Sequence, residues 1–416
     1  MSTQTNDATD AGQISRLVLR GYKSIAECDL ELRRRNVLIG ANGAGKSNFI
    51  GFFRLVHQIL NQQLQMAVGL AGGPDALLHF GRKKTQELYA AVYFGAGSYS
   101  FTLQPTQDNR MVFASEVLSS GELRADDART QAAAQAGLHE DLRWHAAIAV
   151  LNHPGSSQEQ REAARAFMDQ WSSKHGPFET SIEEEKKRIG PHHFDLLYPV
   201  MRSWRIYHFH DTSASASIKQ IHNINDNEYL RDDARNLAAF LLRLKNQHEE
   251  HYRRIVKTIR LVAPFFGDFM LRPTVDNRER IQLEWTQSGQ DEPFTASALS
   301  DGTLRFICLS TVLLQPQEHM PATILIDEPE LGLHPFAISV LGALMKSAAC
   351  RHQLIVSTQS VELVNEFDAQ DLIVVDMRAG ASIFKRPDAE ALSEWLTEYS
   401  LGDLWKKNLL GGRPGR

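Results

Sequence analysis

The sequence predicts an α/β protein with a mixed sheet, flanking antiparallel strands and a helical insertion. First, an apolar strand runs into the glycine-rich turn GANGAGKS, and apolar residues at helical spacing follow the turn. Second, strands and helices alternate through the last third of the chain, which is typical of a parallel sheet. Third, residues 87–118 alternate apolar and polar residues with a period of two, which is typical of antiparallel strands.

The remaining elements can be assigned in chain order. The segment ISRLVLRGYKSIAECDLELRRRNVLIG predicts three strands with a turn after the first. Residues 121–198 are rich in Ala, Gln, Glu, Arg and Lys, which predicts helices without long coiled-coil arms. The segment SWRIYHFHDTSASASIKQ predicts a strand followed by a loop of small residues. The next segment, ARNLAAFLLRLKNQHEEHYRRIVKTIRLVAPF, predicts one or two amphipathic helices.

Composition limits the class of protein. The 416 residues are 43% hydrophobic and 23% charged, as in a globular protein of two or three packed units. We expect a cytoplasmic protein without a membrane partner, because the first residues are polar and no run of 18 apolar residues occurs. The net charge of -5 means that a nucleic-acid surface would have to be a local basic patch. The widely spaced Cys28, Cys308 and Cys350 predict buried free thiols.

The turn GANGAGKS fits the phosphate-binding pattern G-x-x-x-x-G-K-[ST] completely. Its glycines allow successive backbone N–H groups to face a phosphate at a helix N-terminus, where the helix dipole favours anions. Lys46 is expected to bridge the β- and γ-phosphates, and Ser47 to place its hydroxyl on Mg²⁺. The predicted nucleotide-binding residues are Gly40, Ala41, Asn42, Gly43, Ala44, Gly45, Lys46, Ser47 and Asn48.

The segment ATILIDEPELGLHP places two carboxylates at the end of an apolar strand. We expect Asp327 to act on the metal side together with Ser47, and Glu328 to act as the general base that activates water. An acidic pair after an apolar strand also occurs as an ordinary sheet-end cap. The phosphate-binding turn elsewhere in the chain favours the functional interpretation.

The turn Ser300, Asp301, Gly302 and Thr303 stands before the helical segment LRFICLSTVLLQ. Its hydroxyl and its bare N–H groups at a helix N-terminus suit a phosphate. The phosphate-binding loop already has its own helix, so this second helix end is best used on the γ-phosphate held by another copy. A simple N-cap by Ser300 or Asp301 is the alternative interpretation.

These elements, in this order, resemble the ATPase heads of the ABC-type superfamily. The resemblance is to the RecF-like and SMC-like branch and its stand-alone relatives, including AAA_21-like predicted ATPases. The segments that carry it are LVLRGYKSI, NVLIGANGAGKSNFI, the signature LSDGTLRF, the Walker B segment ILIDEPELGLHP, the switch LIVSTQSVELV and the tail WLTEYSLGDLW.

The resemblance implies a P-loop NTPase of ABC-ATPase type that uses ATP and Mg²⁺. It implies that Ser300 and Gly302 of one copy close over ATP on another, giving an ATP-dependent homodimer. It also implies a D-loop that crosses the dimer interface. The D-loop residues are Leu331, Gly332, Leu333 and His334, and the catalytic residues are Glu328, Lys46 and Gln359.

This sequence departs from the family pattern at two positions. Asp301 stands where many relatives have Gly, which the RecF-like subgroup tolerates. Gln359 stands where many have His, and because glutamine stays neutral we expect slow hydrolysis.

Several polar residues keep two interpretations. His334 is either catalytic or an ordinary loop histidine. Gln86 and Gln220 are the candidates for the lobe-linking glutamine of the family, or surface residues. We expect His208 and His210 to be strand-end residues rather than half of a metal site.

The motifs divide the chain into five predicted segments. These are a disordered tail at 1–13, the first part of ATPase lobe I with the P-loop at 14–118, a helical insertion at 119–200, a linking strand and helices at 201–290, and lobe II with signature, Walker B and switch at 291–416.

Two functions follow as expectations. The first is an ATP-hydrolysing head that acts on DNA, in repair, recombination or defence against foreign DNA. Basic stretches such as GRKKTQ, EEEKKRI and HYRRIVKTIR are candidate phosphate contacts, although charge runs are usually solvated helix faces. The second is a nucleotide-gated scaffold that controls a separate effector protein, a nuclease or toxin, without touching DNA. We expect no nuclease domain after the switch, because about 55 residues follow Gln359.

Overall fold

The structure, a computed structural model, describes residues 12–120, 158, 179, 180, 182 and 191–412. The predicted disordered tail lies outside the described residues apart from its last two positions. The predicted helical insertion lies outside them apart from its two ends and four isolated positions. The basic stretch EEEKKRI belongs to this part of the chain.

The chain folds into two compact units, each assembled from separate stretches. The first comprises the described residues of Met1–Leu32, Gly51–Ser203 and Met377–Ile383. The second comprises the described residues of Arg33–Ile50, Trp204–Asp376 and Phe384–Arg416. The five-segment division of the sequence stays a prediction.

The described residues form sixteen strands. In chain order they are β1 (Ile14–Tyr22), β2 (Ile25–Glu31), β3 (Arg35–Ile39), β4 (Leu88–Phe94), β5 (Gly97–Pro105), β6 (Met111–Ser120), β7 (Arg205–Tyr207), β8 (His222–Asn223), β9 (Phe266–Phe269), β10 (Arg280–Ile281), β11 (Glu284–Gln287), β12 (Pro293–Thr295), β13 (Thr323–Asp327), β14 (Gln353–Thr358), β15 (Leu372–Arg378) and β16 (Ala381–Lys385).

Ten α-helices are present in the same ranges. They are α1 (Lys46–Leu60), α2 (Leu64–Ala71), α3 (Pro74–Leu77), α4 (Pro191–Ser203), α5 (Leu237–Gln247), α6 (Glu249–Val262), α7 (Asp301–Leu314), α8 (Pro335–Ala348), α9 (Val361–Val364) and α10 (Leu401–Lys406). No helix within the described ranges is long and apolar enough to cross a membrane.

The first unit is built on a five-stranded sheet in the order β2-β1-β4-β5-β6. Every neighbouring pair in this sheet is antiparallel. The antiparallel strands predicted from the period-two pattern of residues 87–118 are therefore confirmed as β4, β5 and β6. Strand β2 of the same sheet shows the physical basis of such a pattern. Successive side chains of a strand point to opposite faces of the sheet, so buried residues alternate with exposed ones along most of β2.

The second unit is built on a six-stranded sheet in the order β16-β15-β3-β14-β13-β7. Strand β3 is parallel to both β14 and β15, and β13 is parallel to both β14 and β7. All residues of β13 and β14 are buried, as expected for parallel strands covered on both faces. The parallel sheet predicted for the last third of the chain is confirmed.

The helices of the second unit pack a continuous apolar core around this sheet. The segment predicted to form one or two amphipathic helices forms two, α5 and α6, which meet at His248. Helix α7 has the most buried surroundings, since every residue from Phe306 to Leu314 is buried. Smaller sheets, β12-β11-β9 and β10-β8, complete the unit.

The cysteines correct one prediction. Cys28 and Cys308 are buried free thiols, as predicted, and burial raises the pKa of the Cys28 thiol to about 12. Cys350 is also a free thiol, but it is exposed. It lies in the turn after α8, where the chain leaves the helix before β14 begins, and connections of this kind run over the surface.

Candidate functional site

The glycine-rich loop is shaped by two positive φ angles and one close approach. Gly43 and Gly45 have φ values of +78° and +109°, in the region that favours glycine. A Cβ built on Gly40 would overlap the Val375 carbonyl oxygen of β15. A Cβ on Gly43 would meet no atom within 4 Å, so the loop leaves its backbone open at that point. Only glycine satisfies the backbone at these positions.

Lys46 begins α1 and is held by the loop that precedes it. Its Nζ donates to the carbonyl oxygens of Gly40 at 2.7 Å and Ala41 at 2.9 Å, and the residue is 4% exposed. Burial lowers the pKa of the Lys46 ammonium, while the carboxylates of Glu328 and Asp327 favour its charged form. The cation therefore lies among the residues predicted to surround the phosphates and the metal.

Sheet order explains why these distant motifs meet. Strand β14 lies between β3, which leads into the glycine-rich loop, and β13, which ends at Asp327. Because the three strands are parallel, their carboxyl ends share one edge of the sheet. The loop of residues 40–48, the acidic pair and the switch residue Gln359 follow these three strand ends.

Asp327 is buried at the end of β13 and accepts a hydrogen bond from the Ser357 hydroxyl of β14. The two residues are register partners across the parallel pair. Ser357 was not among the predicted site residues. It orients the carboxylate that is predicted to face the metal, and only the pairing of β13 with β14 reveals it.

Glu328 follows directly and has a φ of +47°, which is uncommon for a non-glycine residue. Its backbone N–H donates to the Ser357 carbonyl at 3.0 Å. A residue held in this conformation costs about 1–3 kcal/mol and is retained where the surrounding structure fixes it. The chain thus turns sharply at the predicted general base, immediately beyond the strand.

The switch contacts the acidic segment through two separate carboxylates. The side-chain amide of Gln359 donates to Glu328 Oε1. The backbone N–H groups of Gln359 and Ser360 donate to Glu330 Oε1 at 2.8 and 3.2 Å. Burial raises the pKa of the Glu330 carboxyl, and the bond from Gln359 N–H opposes the shift. Glu330 was not among the predicted site residues, although it lies in the same acidic segment, three residues after Asp327.

The signature turn forms the N-terminus of α7. The Ser300 hydroxyl accepts the Thr303 N–H at 3.2 Å, so the N-cap interpretation describes what this residue does in the single chain. Ser300 and Asp301 are exposed at this helix end. The predicted contact with a phosphate on another copy stays a prediction, and the cap leaves the turn open to solvent.

The signature turn and the D-loop contact each other within one chain. A Cβ built on Gly302 would overlap the carbonyl oxygen of Gly332, and it would also approach Leu333. Gly302 is therefore required for the close approach of the two segments. Leu331 and Phe336, on either side of this contact, are 41% and 55% exposed.

Arg305 links three segments and was missed from the sequence. Its guanidinium donates to the Leu331 carbonyl of the D-loop at 2.9 Å. It also donates to the Phe209 and His210 carbonyls, each at 2.9 Å, in the segment after β7. The planar guanidinium can serve several acceptors at once. In the sequence, Arg305 stands out as a single arginine in the apolar segment LRFICLSTVLLQ, which indicates a residue with specific hydrogen-bond partners.

The structure also gives the places of the remaining polar candidates. His334 caps α8, where its Nδ1 accepts the Phe336 N–H at 3.3 Å, which fits the loop-histidine interpretation. The rings of His208 and His210 have centroids 3.8 Å apart and planes tilted by 38°, and His210 lines a small pocket with Asp327, Glu328 and Arg305. Gln220 is exposed and donates to the Ala214 carbonyl, and Gln86 is exposed in the other unit.

The residues present fit a Mg²⁺-nucleotide. The open glycine backbone at Gly43 and the N-terminus of α1, which begins at Lys46, face the kind of position where phosphate oxygens bind. The buried carboxylate of Asp327 and the hydroxyl of Ser47 are oxygen donors of the kind that Mg²⁺ prefers.

The chain matches a known family of ATPase-like domains and one curated protein. The family described as "AAA domain, putative AbiEii toxin, Type IV TA system" (AAA_21) matches residues 35–144 and 158–365. The chain is 25% identical over 198 residues to the Old nuclease of Escherichia phage P2, a match that covers 38% of this chain and 34% of that protein. The chain thus matches about a third of the length of this curated relative.

Two solved structures are similar to this chain. An SmcHead bound to the C-winged helix domain of ScpA has a TM-score of 0.53 and 16% identity, covering 91% of this chain and 99% of that chain. An Smc head domain from Pyrococcus furiosus, with an extended coiled coil and bound to the C-terminal domain of ScpA, has a TM-score of 0.49 and 16% identity, covering 92% and 98%. The first structure confirms the predicted fold class.

Proposed function

Since the chain belongs to the AAA_21 family and has a fold similar to that of an SmcHead, we propose that it is an ATPase of the SMC- and RecF-like ABC type, which hydrolyses ATP slowly and pairs head-to-tail with a second copy around ATP. The paired heads act on DNA, in repair, recombination or defence against foreign DNA. The observation that carries the proposal is the meeting of Lys46, Glu328 and Gln359 at one edge of the parallel sheet.

The chain's own residues supply binding and proton transfer. The glycine-rich loop and Lys46 hold the phosphates, and Ser47 and Asp327 hold Mg²⁺, which when bound polarises the γ-phosphate. Glu328 accepts the proton of the attacking water. Its carboxylate is oriented by the Gln359 amide, which donates to Oε1. Since that amide is neutral, it adds no positive charge at the γ-phosphate, which supports slow turnover.

The pairing of two copies rests on the exposed N-terminal turn of α7 and on the D-loop. Ser300 and Asp301 are exposed at a 14-residue helix N-terminus, which favours anions. Gly302 allows the D-loop to approach this turn, and Arg305 donates to it, so the turn and the D-loop form one continuous surface. The exposed Leu331 and Phe336 add apolar area to that surface. A second copy of the chain, with ATP on its glycine-rich loop, is the proposed occupant.

Action on DNA is supported by one helix face. Helix α6 carries four exposed basic residues along its outer side, Arg253, Arg254, Lys257 and Arg260. Arg253 is paired with Glu249, and Arg260 donates to the Gly267 carbonyl, so part of this charge is already engaged. The similarity to the Old nuclease of phage P2 also favours a nucleic-acid or defence role.

A scaffold that controls a separate effector protein is the second candidate. The observation in its favour is that the similar SmcHead was solved with a bound piece of another protein, ScpA. In this alternative the paired heads hold or release a nuclease or toxin and do not contact DNA.

Sedimentation velocity of the Glu328→Gln variant tests the proposal. This change keeps the site's shape but removes the general base, so ATP should accumulate and the variant should sediment as a dimer with ATP and Mg²⁺. Ser300→Arg in the same background should bind ATP and stay monomeric. Ser288→Arg, in an exposed turn of the same unit, is the matched control and should dimerise.

The outcomes separate the candidates. A Glu328→Gln variant that stays monomeric in saturating ATP contradicts the composite site. Dimers that bind duplex DNA, with an affinity that falls steeply as salt rises, support the DNA function. Dimers that ignore DNA favour the scaffold.

A further inference from the structure

Three histidines and a glutamate converge in the second unit, away from the glycine-rich loop in sequence. His248 lies at the junction of α5 and α6, where it is the N-cap residue of α6. Glu318 and His319 lie in the short 3-10 turn Gln317–His319, in the connection between α7 and β13. His251 lies in the first turn of α6. None of these residues belongs to the proposed nucleotide site.

The distances suit a metal ion better than a hydrogen bond. His248 Nε2 and His319 Nε2 are 3.4 Å apart, with ring planes at 89°. That separation is long for a hydrogen bond. Two imidazole nitrogens at zinc–nitrogen distances of 2.0–2.1 Å in a tetrahedral site lie about 3.3–3.4 Å apart. The pair thus has the spacing of two ligands of one tetrahedral ion.

Glu318 provides the third donor. One carboxylate oxygen, one nitrogen of His248 and one nitrogen of His319 all lie within 4.8 Å of one another. Its Oε1 is 3.7 Å from His248 Nδ1, the other nitrogen of that ring, and because its side chain is mostly exposed it has room to rotate toward the Nε2 side. We propose that His248, Glu318 and His319 bind a first-row transition-metal dication, with Zn²⁺ as the preferred ion.

His251 supports the site from α6. Its Nδ1 lies 2.8 Å from the Leu314 carbonyl, to which it donates, and this leaves Nε2 as the lone-pair nitrogen. Histidines that ligate metals are commonly oriented in this way, through a bond from their other nitrogen to a carbonyl. The ring centroids of His248 and His251 are 6.4 Å apart, so His251 offers the fourth ligand after a side-chain shift.

The donor set selects the kind of ion. Imidazole nitrogens suit zinc, copper, nickel and iron, whereas Mg²⁺ prefers oxygen ligands in octahedral geometry. This site is therefore chemically distinct from the one proposed at Ser47 and Asp327. Arg243 is a nearby positive charge that opposes a cation, but its guanidinium is engaged by the Gln247 side chain and the Asn227 carbonyl. Glu318 supplies compensating negative charge.

The ion would link the connection after α7 to the junction of α5 and α6. His319 and Glu318 belong to the connection that joins α7, which carries the signature turn, to β13, which ends at the acidic pair. His248 belongs to the corner between α5 and α6. A metal bridging them stabilises the folded state, since a ligand that binds only the folded chain adds its binding free energy to stability.

Zinc binding to the untagged full chain tests the inference. Zn²⁺ is titrated in excess Mg²⁺, without nucleotide, in competition with a chromophoric chelator, and Co²⁺ is added separately to detect the visible absorption of tetrahedral cobalt. We expect one zinc per chain and a higher midpoint of thermal unfolding with zinc. His248→Ala and His319→Ala should each weaken zinc binding at least about tenfold.

His222→Ala is the matched control, because His222 lies in the same unit and its Nε2 lies 2.6 Å from the Ser217 carbonyl oxygen, outside the proposed metal site. It should bind zinc like the unchanged chain. If His319→Ala fails to fold, His319→Asn and Glu318→Gln carry the test. Absence of stoichiometric zinc binding, or equal affinity in the His248, His319 and His222 variants, overturns the inference. Neither result bears on the ATPase proposal, which is tested without zinc.

Discussion

The Gln359 side-chain amide donates a hydrogen bond to the carboxylate of Glu328. These residues are the predicted switch and the predicted general base, 31 positions apart in the chain. The contact gives the switch a definite task in this protein, because a carboxylate fixed by a donor is held ready to accept a proton.

Substitution of Gln359 should separate orientation from charge. Gln359→Ala removes the donor and should lower kcat for ATP hydrolysis by about tenfold or more, since positioned donors at reacting groups contribute strongly. Gln359→His keeps a donor and adds a group that can carry charge, so kcat should be at least that of the unchanged chain. Steady-state phosphate release measures both. Gln290→Ala, in an exposed turn, is the control. Equal rates for the Ala variant and the control would contradict the orienting role.

Arg305 should couple the signature helix to the D-loop. Arg305→Lys keeps the charge but cannot serve the Leu331, Phe209 and His210 carbonyls together. We expect a loss of about 1–3 kcal/mol in the free energy of unfolding, and weaker ATP-dependent pairing of the Glu328→Gln variant. Urea unfolding and sedimentation measure the two effects. Arg351→Lys, at an exposed position, should change neither. If the Arg305 variant pairs as well as the unchanged chain, the hydrogen bonds of Arg305 contribute to stability only and not to pairing.

Gly302→Ala should disturb the D-loop. The added methyl group would overlap the Gly332 carbonyl oxygen, which is backbone and cannot rotate away. We expect destabilisation of about 1–3 kcal/mol from the forced shift. Gly69→Ala is the matched control, because a Cβ there meets no atom within 4 Å and the residue lies inside α2. Equal unfolding free energies for the two variants would rule out the close approach.

Glu330 should give the stability a pH dependence. Burial raises the pKa of its carboxyl, so its contribution to stability is complete below the unfolded pKa of about 4.3 and is lost as pH rises through the folded pKa. Glu330→Gln keeps an acceptor for the N–H groups of Gln359 and Ser360 but has no charge to bury. The variant should therefore gain stability relative to the unchanged chain as pH rises from about 4 to 7.

Urea unfolding at several pH values measures this difference. Glu279→Gln, which removes an exposed carboxylate of the same unit, is the control and should show a smaller change with pH. A Glu330→Gln difference that stays constant from acid to neutral pH would contradict the effect of burial.

The local parts of the site were predictable because each is encoded by adjacent residues. The loop of residues 40–48 depends on glycines at fixed spacing and on a helix that follows, and both are visible in the sequence. The N-cap by Ser300, which was the alternative interpretation of its turn, also lies within a short segment. The antiparallel strands of the first unit followed from the period of apolar residues, and the parallel sheet of the second followed from the alternation of strands and helices along the chain.

The contacts between segments were decided only by the tertiary structure. Ser357 meets Asp327, and Gln359 meets Glu328, because β14 is inserted between β3 and β13 in a fixed register. Arg305 finds its acceptors in segments 26 and 96 positions away. The sequence by itself determined which residues could carry nucleotide chemistry, since backbone shape and side-chain type are local properties. Which of them touch was decided by strand order and helix packing, since these depend on the burial of the whole core.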